Sequence, residues 1–490
     1  MKTGFDHEQY LKVQSENIRK RMEMFDNKLY LEFGGKLFDD YHASRVLPGF
    51  KPDAKIQLLQ KFKEDLEIVF CINANDIEKN KIRADYGISY DMELLRLIDN
   101  LQKLDISVNS VVITMYDGTQ GIEKLKKILK QRKIKTYTHR PTKGYPQDIE
   151  TIVSEEGYGK NPYIETSKKI VVVTAPGPNS GKLGTCLSQL YHEYKKGVKA
   201  GYAKFETFPV WDLSLIHPVN VAYEAATADL GDINMIDPFH LEAYGKKAVN
   251  YNRDISTFPI LKNILHKITG KDIYQSPTDM GVNMIGKCII DDEVVKEASK
   301  NEIIRRYYSS LCDVKQEIGK KETVERIEEL MTKLGISAQD RKVVQEAMKI
   351  AEKEKRNLVA IELEDGRIIT GKESELLSAP SAMLINAIKE LTHIPDDVYL
   401  ISPSVIEGVY KMKKKTSYKK SYYLNLPEVL IVFSICAGTN PMIEKAIDHL
   451  GELRGLEAHS SYIITDGDFN VLKNLGINLT CEPRHSTSEG

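Results

Sequence analysis

The stretch Lys169-Ile170-Val171-Val172-Val173-Thr174-Ala175-Pro176-Gly177-Pro178-Asn179-Ser180-Gly181-Lys182-Leu183-Gly184-Thr185 constrains the fold more than any other part of the chain. A β-branched run ends in a loop of Gly, Pro, Asn and Ser. Gly181-Lys182 then leads into Thr185 to Glu193, which reads as a helix. A strand, a glycine loop, a lysine and a helix start together form a physical recipe for holding phosphate. Glycines let backbone N–H groups approach the oxygens, the helix N-terminus adds partial positive charge, and lysine adds a full one. Gly177, Asn179, Ser180, Gly181, Lys182 and Thr185 are the expected ligand contacts. The loop departs from Walker A: Pro176 stands where a glycine is needed, and Leu183 where the magnesium-binding hydroxyl belongs. Thr185 could substitute, but two residues rotate it by about 200° around the helix.

Strand and helix patterns alternate up to about residue 193. Strands are expected at 28–33, 66–73, 108–115, 134–139 and 170–174, and helices at 8–27, 56–62, 91–104 and 121–132. This spacing predicts an α/β fold whose mostly parallel N-terminal sheet, Rossmann-like or P-loop-like, is covered on both faces. Ligands of such sheets bind beyond the carboxyl ends of the strands. Residues 292–356 read as charged helices. Strand character returns at 358–370, with Asp365-Gly366 as a hairpin turn. A helix at 379–391, a strand at 428–435, a helix at 442–450 and a strand at 460–465 are expected to follow. The division read from this is 1–250 as an α/β domain, 251–355 as a helical domain and 356–490 as a smaller α/β domain. The apolar stripe of the middle segment (Ile303, Tyr307, Leu311, Ile327, Leu330, Met331, Leu334) needs a partner, so it is expected to pack on both α/β units or on a second copy in a homo-oligomer.

The chain has 490 residues, too many for one ordinary core. Its 69 basic and 70 acidic residues leave no global field to attract nucleic acid or an anionic membrane. No apolar run reaches bilayer length and the N-terminus lacks a signal-peptide core, so a cytoplasmic protein is expected. Six scattered cysteines form no CxxC pair, which argues against a zinc ribbon or a disulfide framework.

Further candidates lie near the strand ends. Gly34-Gly35-Lys36, followed by His42 and Arg45, resembles a second anion loop. Asn75, Asp76, Lys79 and Arg83 follow a buried strand and could contact a polar ligand, or Asn75 or Asp76 could simply cap a helix. Residues 204–283 are dense in polar groups, including Lys204, Glu206, His217, Asp237, His240, Asp254 and Asp279. Asp237 ends an apolar strand pattern, and a turn could present Asp279. Asp237 and Asp279 are the expected ligands of a magnesium ion held with phosphate oxygens. Lys182, Asp237, Asp254 and Asp279 are the expected catalytic set. A His217/Asp237/His240 transition-metal site has no strong spacing behind it and is not expected. Cys436, after its expected strand, reads as a buried small residue rather than a nucleophile with His449 or His459. The basic, aromatic run 411–423 reads as a solvated loop rather than a nucleic-acid surface.

Several stretches together resemble one bacterial family. They are Glu32 to Asp40, Ile72 to Arg83, Ala175 to Thr185, His217-Pro218-Val219-Asn220, Asp237-Pro238-Phe239-His240, Tyr251-Asn252-Arg253-Asp254 and Ser276 to Asn283. The family is domain-of-unknown-function family 1846, also called uncharacterised protein family 0371. The resemblance implies a multidomain α/β and helical protein and brings no established activity. Some members carry the label ATP-dependent peptidase. This sequence has no HExxH, no recognisable Ser/His/Asp motif and no AAA-type Walker pair to support it. The expectation is a phosphorylated small molecule, such as a nucleotide with magnesium, bound for phosphoryl or nucleotidyl transfer or for nucleotide hydrolysis. The alternative is a non-enzymatic nucleotide-binding sensor or scaffold.

Overall fold

The computed structural model describes residues 2–83, 87–118, 120–416 and 422–486. Residues 2–224 and 232–296 form one compact unit; residues 225–231 and those from 297 onward form the other. Residues 251–296 therefore group with the first unit and 297–355 with the second. The boundary falls inside one helix, Asp292–Lys315.

The first unit is built on seven strands: β1 (Leu29–Phe33), β2 (Leu66–Asn73), β3 (Val108–Thr114), β4 (Lys135–Thr138), β5 (Ile170–Thr174), β6 (Gly201–Phe205) and β7 (Gly281–Val282). Their order is β7-β6-β1-β5-β2-β3-β4, and every neighbouring pair is parallel. β1 and β5 are buried at every position, as β-branched and aromatic strands covered on both faces must be. Tyr30, Val69, Cys71, Val171 and Val173 form a core with residues of the helices Lys182–Lys195 and Asn252–Thr269. Side chains alternate along a strand, so Leu31, Phe33, Phe70 and Val172 face the opposite layer.

The connectivity matters more than the strand count. From β1 the chain passes β5 to reach β2, while from β5 it passes β1 in the other direction to reach β6. β1 and β5 are neighbours whose outgoing connections diverge, which opens a crevice beyond their carboxyl ends.

The second unit carries a four-stranded sheet: β8 (Leu358–Glu362), β9 (Ile368–Lys372), β10 (Glu457–Ser460) and β11 (Asn478–Cys481), in the order β9-β8-β10-β11. The β8–β9 hairpin turns at Asp365-Gly366 with Gly366 at φ +83°, as the sequence predicts. Val359, Ile361, Met383, Leu384 and Phe433 fill its core.

Three local expectations are corrected. Residues 428–435 are not a strand but part of the helix Leu426–Ala437. Asn425 and Glu428 exchange side chain–backbone hydrogen bonds of 3.1 and 2.9 Å in a capping box, and an apolar run this short carries no period of its own. The expected strand at 460–465 lies earlier, at Glu457–Ser460, because Thr465 caps the next helix, Asp466–Leu475. Strand β7 sits within the stretch expected to be helical, too short at two residues to leave a pattern. In the middle segment Ile303, Ile327, Leu330 and Met331 are buried and Tyr307, Leu311 and Leu334 half-buried. Among the described residues no helix is long and apolar enough to cross a membrane.

Candidate anion-binding crevice

The loop after β5 is shaped by two left-handed residues, Asn179 at φ +53° and Gly181 at φ +78°. A Cβ on Gly181 would stand 2.9 Å from the Thr114 side chain, so glycine is required there for space as well as for φ. Gly177 is equally confined, since its Cβ would stand 2.6 Å from the Tyr90 ring.

Four carbonyls of this loop are held by donors of the protein. Arg83 Nη1 donates to Pro176 O at 2.9 Å and Ser180 Oγ to Gly177 O at 2.6 Å. Asn73 Nδ2 donates to Asn179 O at 3.3 Å, and Thr114 Oγ1 to Ser180 O at 2.8 Å. The helix Lys182–Lys195 then begins at Gly181 with no side chain capping it. Its first N–H groups are the orphan donors to which an anion is drawn.

The neighbouring loop after β1 is anchored by a residue that sequence reasoning missed. Lys55 Nζ donates to Gly34 O at 3.2 Å and Lys36 O at 3.0 Å, and pairs with Asp40 at 3.1 Å. Burial resists the charge on Asp40, yet Lys55 and His42 hold its pKa below the usual carboxylate range. The signal was available: Lys55 lies on the apolar face of a helix, beside Ile56, Leu58 and Leu59. Gly35 (φ +66°), the exposed Lys36, Arg83 and Ala175 border one narrow surface cleft. Its back wall is Glu93, 1% exposed, which receives Arg83 at 2.9 Å and Arg96 at 2.7 Å. The two glycine loops and Arg83 are thus brought together.

Other expected contacts fall differently. Thr185 is buried against Cys71, whose Sγ donates to its hydroxyl at 3.3 Å, so it faces the core and not the loop. Ser180 is buried and spends its hydroxyl on Gly177 O. Asn75 and Lys79 lie exposed in or just after the short helix Ala74–Glu78, whose cap is Asn73 rather than Asn75 or Asp76. Arg45 sits half-buried in the helix Tyr41–Val46.

The three aspartates are each engaged by groups of the protein, Asp237 and Asp279 at the Thr278 turn and Asp254 at Lys204. Asp237 is fully buried and accepts four bonds: from Phe239 N and His240 N at 3.0 Å each, and from Thr278 Oγ1 at 2.7 Å and N at 3.3 Å. It caps the helix Pro238–Tyr244 and ties it to the Thr278 turn. Asp279 accepts from Tyr244 OH at 2.8 Å and Gln275 N at 2.9 Å. Asp254 lies elsewhere, against Lys204, with Glu206 2.7 Å from the same ammonium and Tyr251 donating to Glu206 at 2.8 Å. Burial opposes the charge on Lys204, yet Asp254, Glu206 and Tyr251 raise its pKa well above the ordinary lysine value. Among the described residues no three His, Cys, Asp or Glu side chains are arranged to hold a metal ion. His217 faces Asp292 at 2.9 Å instead of joining Asp237 and His240.

Ser276, His240 and Asp279 do meet, but not as a relay. Ser276 Oγ lies 3.0 Å and Asp279 Oδ1 3.7 Å from the same imidazole nitrogen, Nδ1, and Ser276 is fully buried as a helix cap. A hydrolytic triad needs the hydroxyl and the carboxylate on opposite nitrogens. Cys436 ends a helix, and neither His449, bonded to Lys445 O, nor His459, bonded to Thr480 and Glu482, serves it. Of the basic run, Lys411–Lys415 belong to the helix Pro403–Thr416 and Lys413 pairs with Glu428 at 2.8 Å; residues 417–421 lie outside the described part.

These features define a parallel α/β protein with two glycine loops meeting at its topological switch point. The chain belongs to the family described as domain of unknown function DUF1846, whose N-terminal model matches residues 3–335 and C-terminal model residues 339–489. It is similar to a UPF0371 protein of Clostridium botulinum (strain Alaska E43 / Type E3), 56% identical over 99% of this chain and 98% of the relative. A UPF0371 protein of Clostridium tetani (strain Massachusetts / E88) is 54% identical over the same shares.

Proposed function

We propose that the crevice at the carboxyl ends of β1 and β5 binds a phosphorylated small molecule, a nucleotide foremost, and that the chain performs phosphoryl or nucleotidyl transfer on it in the cytosol. One observation carries this reading: four carbonyls of the Ala175–Gly181 loop are occupied by protein donors, while the helix that follows opens with uncapped N–H groups beside Lys182. Lys36 adds a cation from the facing loop, and Arg83, paired with Glu93, shapes the cleft wall. The balance of 69 basic against 70 acidic residues favours a small ligand over nucleic acid.

A second reading, a nucleotide-binding sensor without turnover, is favoured by Leu183 at the hydroxyl position and by Thr185 facing the core. Titration of the full chain with a panel of nucleotides and sugar phosphates tests the binding. Assay of the tightest binder for turnover separates transferase from sensor. A panel with no binder removes both.

A further inference from the structure

Glu32 is the one acid in the otherwise apolar strand β1, and it stands beside the glycine loop. Strand register pairs it with Val173 on β5, two residues before the loop begins, and with Lys204 on β6. Its side chain shares the sheet face of Tyr30, under the helix that Lys182 opens. The thiols of Cys71 on β2 and Cys186 on that helix sense both charges. Burial pushes the Cys71 thiol up to about 12, with Lys182 acting downward and Glu32 upward, and both groups also act on Cys186.

Glu32 is 8% exposed. Among the described residues its one hydrogen bond comes from Tyr202 OH at 2.8 Å, to Oε2. The nearest strand neighbour with a positive charge, Lys204, is already committed to Asp254, Glu206 and Tyr251. A buried carboxylate without an ion pair is costly, and a cation from outside the chain would relieve that cost. Asp237 and Asp279, by contrast, spend their oxygens on caps and turns.

We propose that Glu32 is the carboxylate that meets a magnesium ion carried on the phosphates of the ligand at the Ala175–Lys182 loop; this rests on the reading that the loop takes a phosphate. Magnesium is commonly held by one or two carboxylates, substrate phosphate oxygens and waters, so one acid at this place suffices. Tyr202 holds Oε2 and leaves Oε1 to the ion or to its water.

The test uses inorganic pyrophosphate as probe, titrated into the full chain with and without magnesium. Wild type is expected to bind pyrophosphate about tenfold more tightly with magnesium. Glu32→Gln is expected to keep the metal-free affinity and lose that gain, whereas Asp279→Asn keeps it. A gain of the same size in Glu32→Gln, or none in wild type, overturns the role of Glu32 while leaving the phosphate loop standing. No pyrophosphate binding under either condition overturns the loop reading and the metal site with it. Should Glu32→Gln not fold, the wild-type protein still decides. Ferrous iron in place of magnesium, with ascorbate and peroxide, is expected to cut the backbone near residues 32 and 181 when pyrophosphate is present. Cuts confined to the surroundings of residues 237 and 279 overturn the assignment.

Discussion

The hydroxyl of Thr114 donates to the carbonyl of Ser180 at 2.8 Å, joining the end of β3 to the loop that leaves β5, with β2 between them. The same threonine fills the space into which a Cβ on Gly181 would project. The position of the uncapped helix start is therefore set from the neighbouring strands, and the loop is held in shape before any ligand arrives.

Gly181→Ala should accordingly cost about 2 kcal/mol, since alanine meets both a left-handed φ and the Thr114 side chain. Urea unfolding of the two proteins measures this. Thr114→Ser in the same background removes the methyl that the new Cβ meets, keeps the hydroxyl for Ser180 O, and should recover some of the loss.

Lys55→Met should be more damaging, by about 3–5 kcal/mol, because it strands the Asp40 carboxylate, together with the carbonyls of Gly34 and Lys36, without their ammonium. The effect has a pH signature. The pKa of Asp40 is held below its unfolded value, so the pair stabilises above that value and its contribution vanishes as pH falls through the folded one. Wild type and variant should therefore converge in stability toward strongly acid pH in denaturant titrations.

His139 predicts a second pH dependence of the same sign. Burial pushes its imidazole down to about 4, and among the described residues Nε2 has no hydrogen-bond partner. The unfolded chain takes up the proton near pH 6.5, so stability is full above that and falls as pH drops toward 4, by on the order of 3 kcal/mol. His139→Asn, which does not titrate, should flatten that part of the pH–stability curve.

Asp237→Ala should destabilise by about 3 kcal/mol through loss of a buried cap and of its ties to Thr278, read from thermal melts. Asp237→Asn, which keeps one acceptor oxygen, should fall between.

Strands β1 to β5 were legible because each is an apolar or β-branched run alternating with helical patterns, and the glycine loop because Gly, Pro, Asn and Ser follow such a run; β6 and the two-residue β7 left no such pattern. The difference between a strand and a helix at 428–435 was not, since an eight-residue apolar run looks the same in both. Only the Asn425–Glu428 capping box separates them. The aspartates were misleading for a different reason. A carboxylate that ends a strand looks alike whether it meets a metal or the N–H groups of the next helix, and Asp237 meets the helix. Glu32 was passed over because it depends on a neighbour distant in sequence, the loop that β5 places beside it, whereas Lys55 was marked by its place on the apolar face of its helix although its partners, the Gly34 and Lys36 carbonyls, were not.

The most direct measurement is calorimetric titration of Lys182→Ala and wild type with the tightest phosphorylated binder of the panel, alongside their thermal midpoints. Lys182 begins its helix half-buried and carries little packing, while a charged hydrogen bond to phosphate contributes about 1.5–3 kcal/mol. The expected result is an affinity about tenfold or more weaker with an unchanged melting point. Equal affinities in the two proteins would contradict a phosphate at this loop.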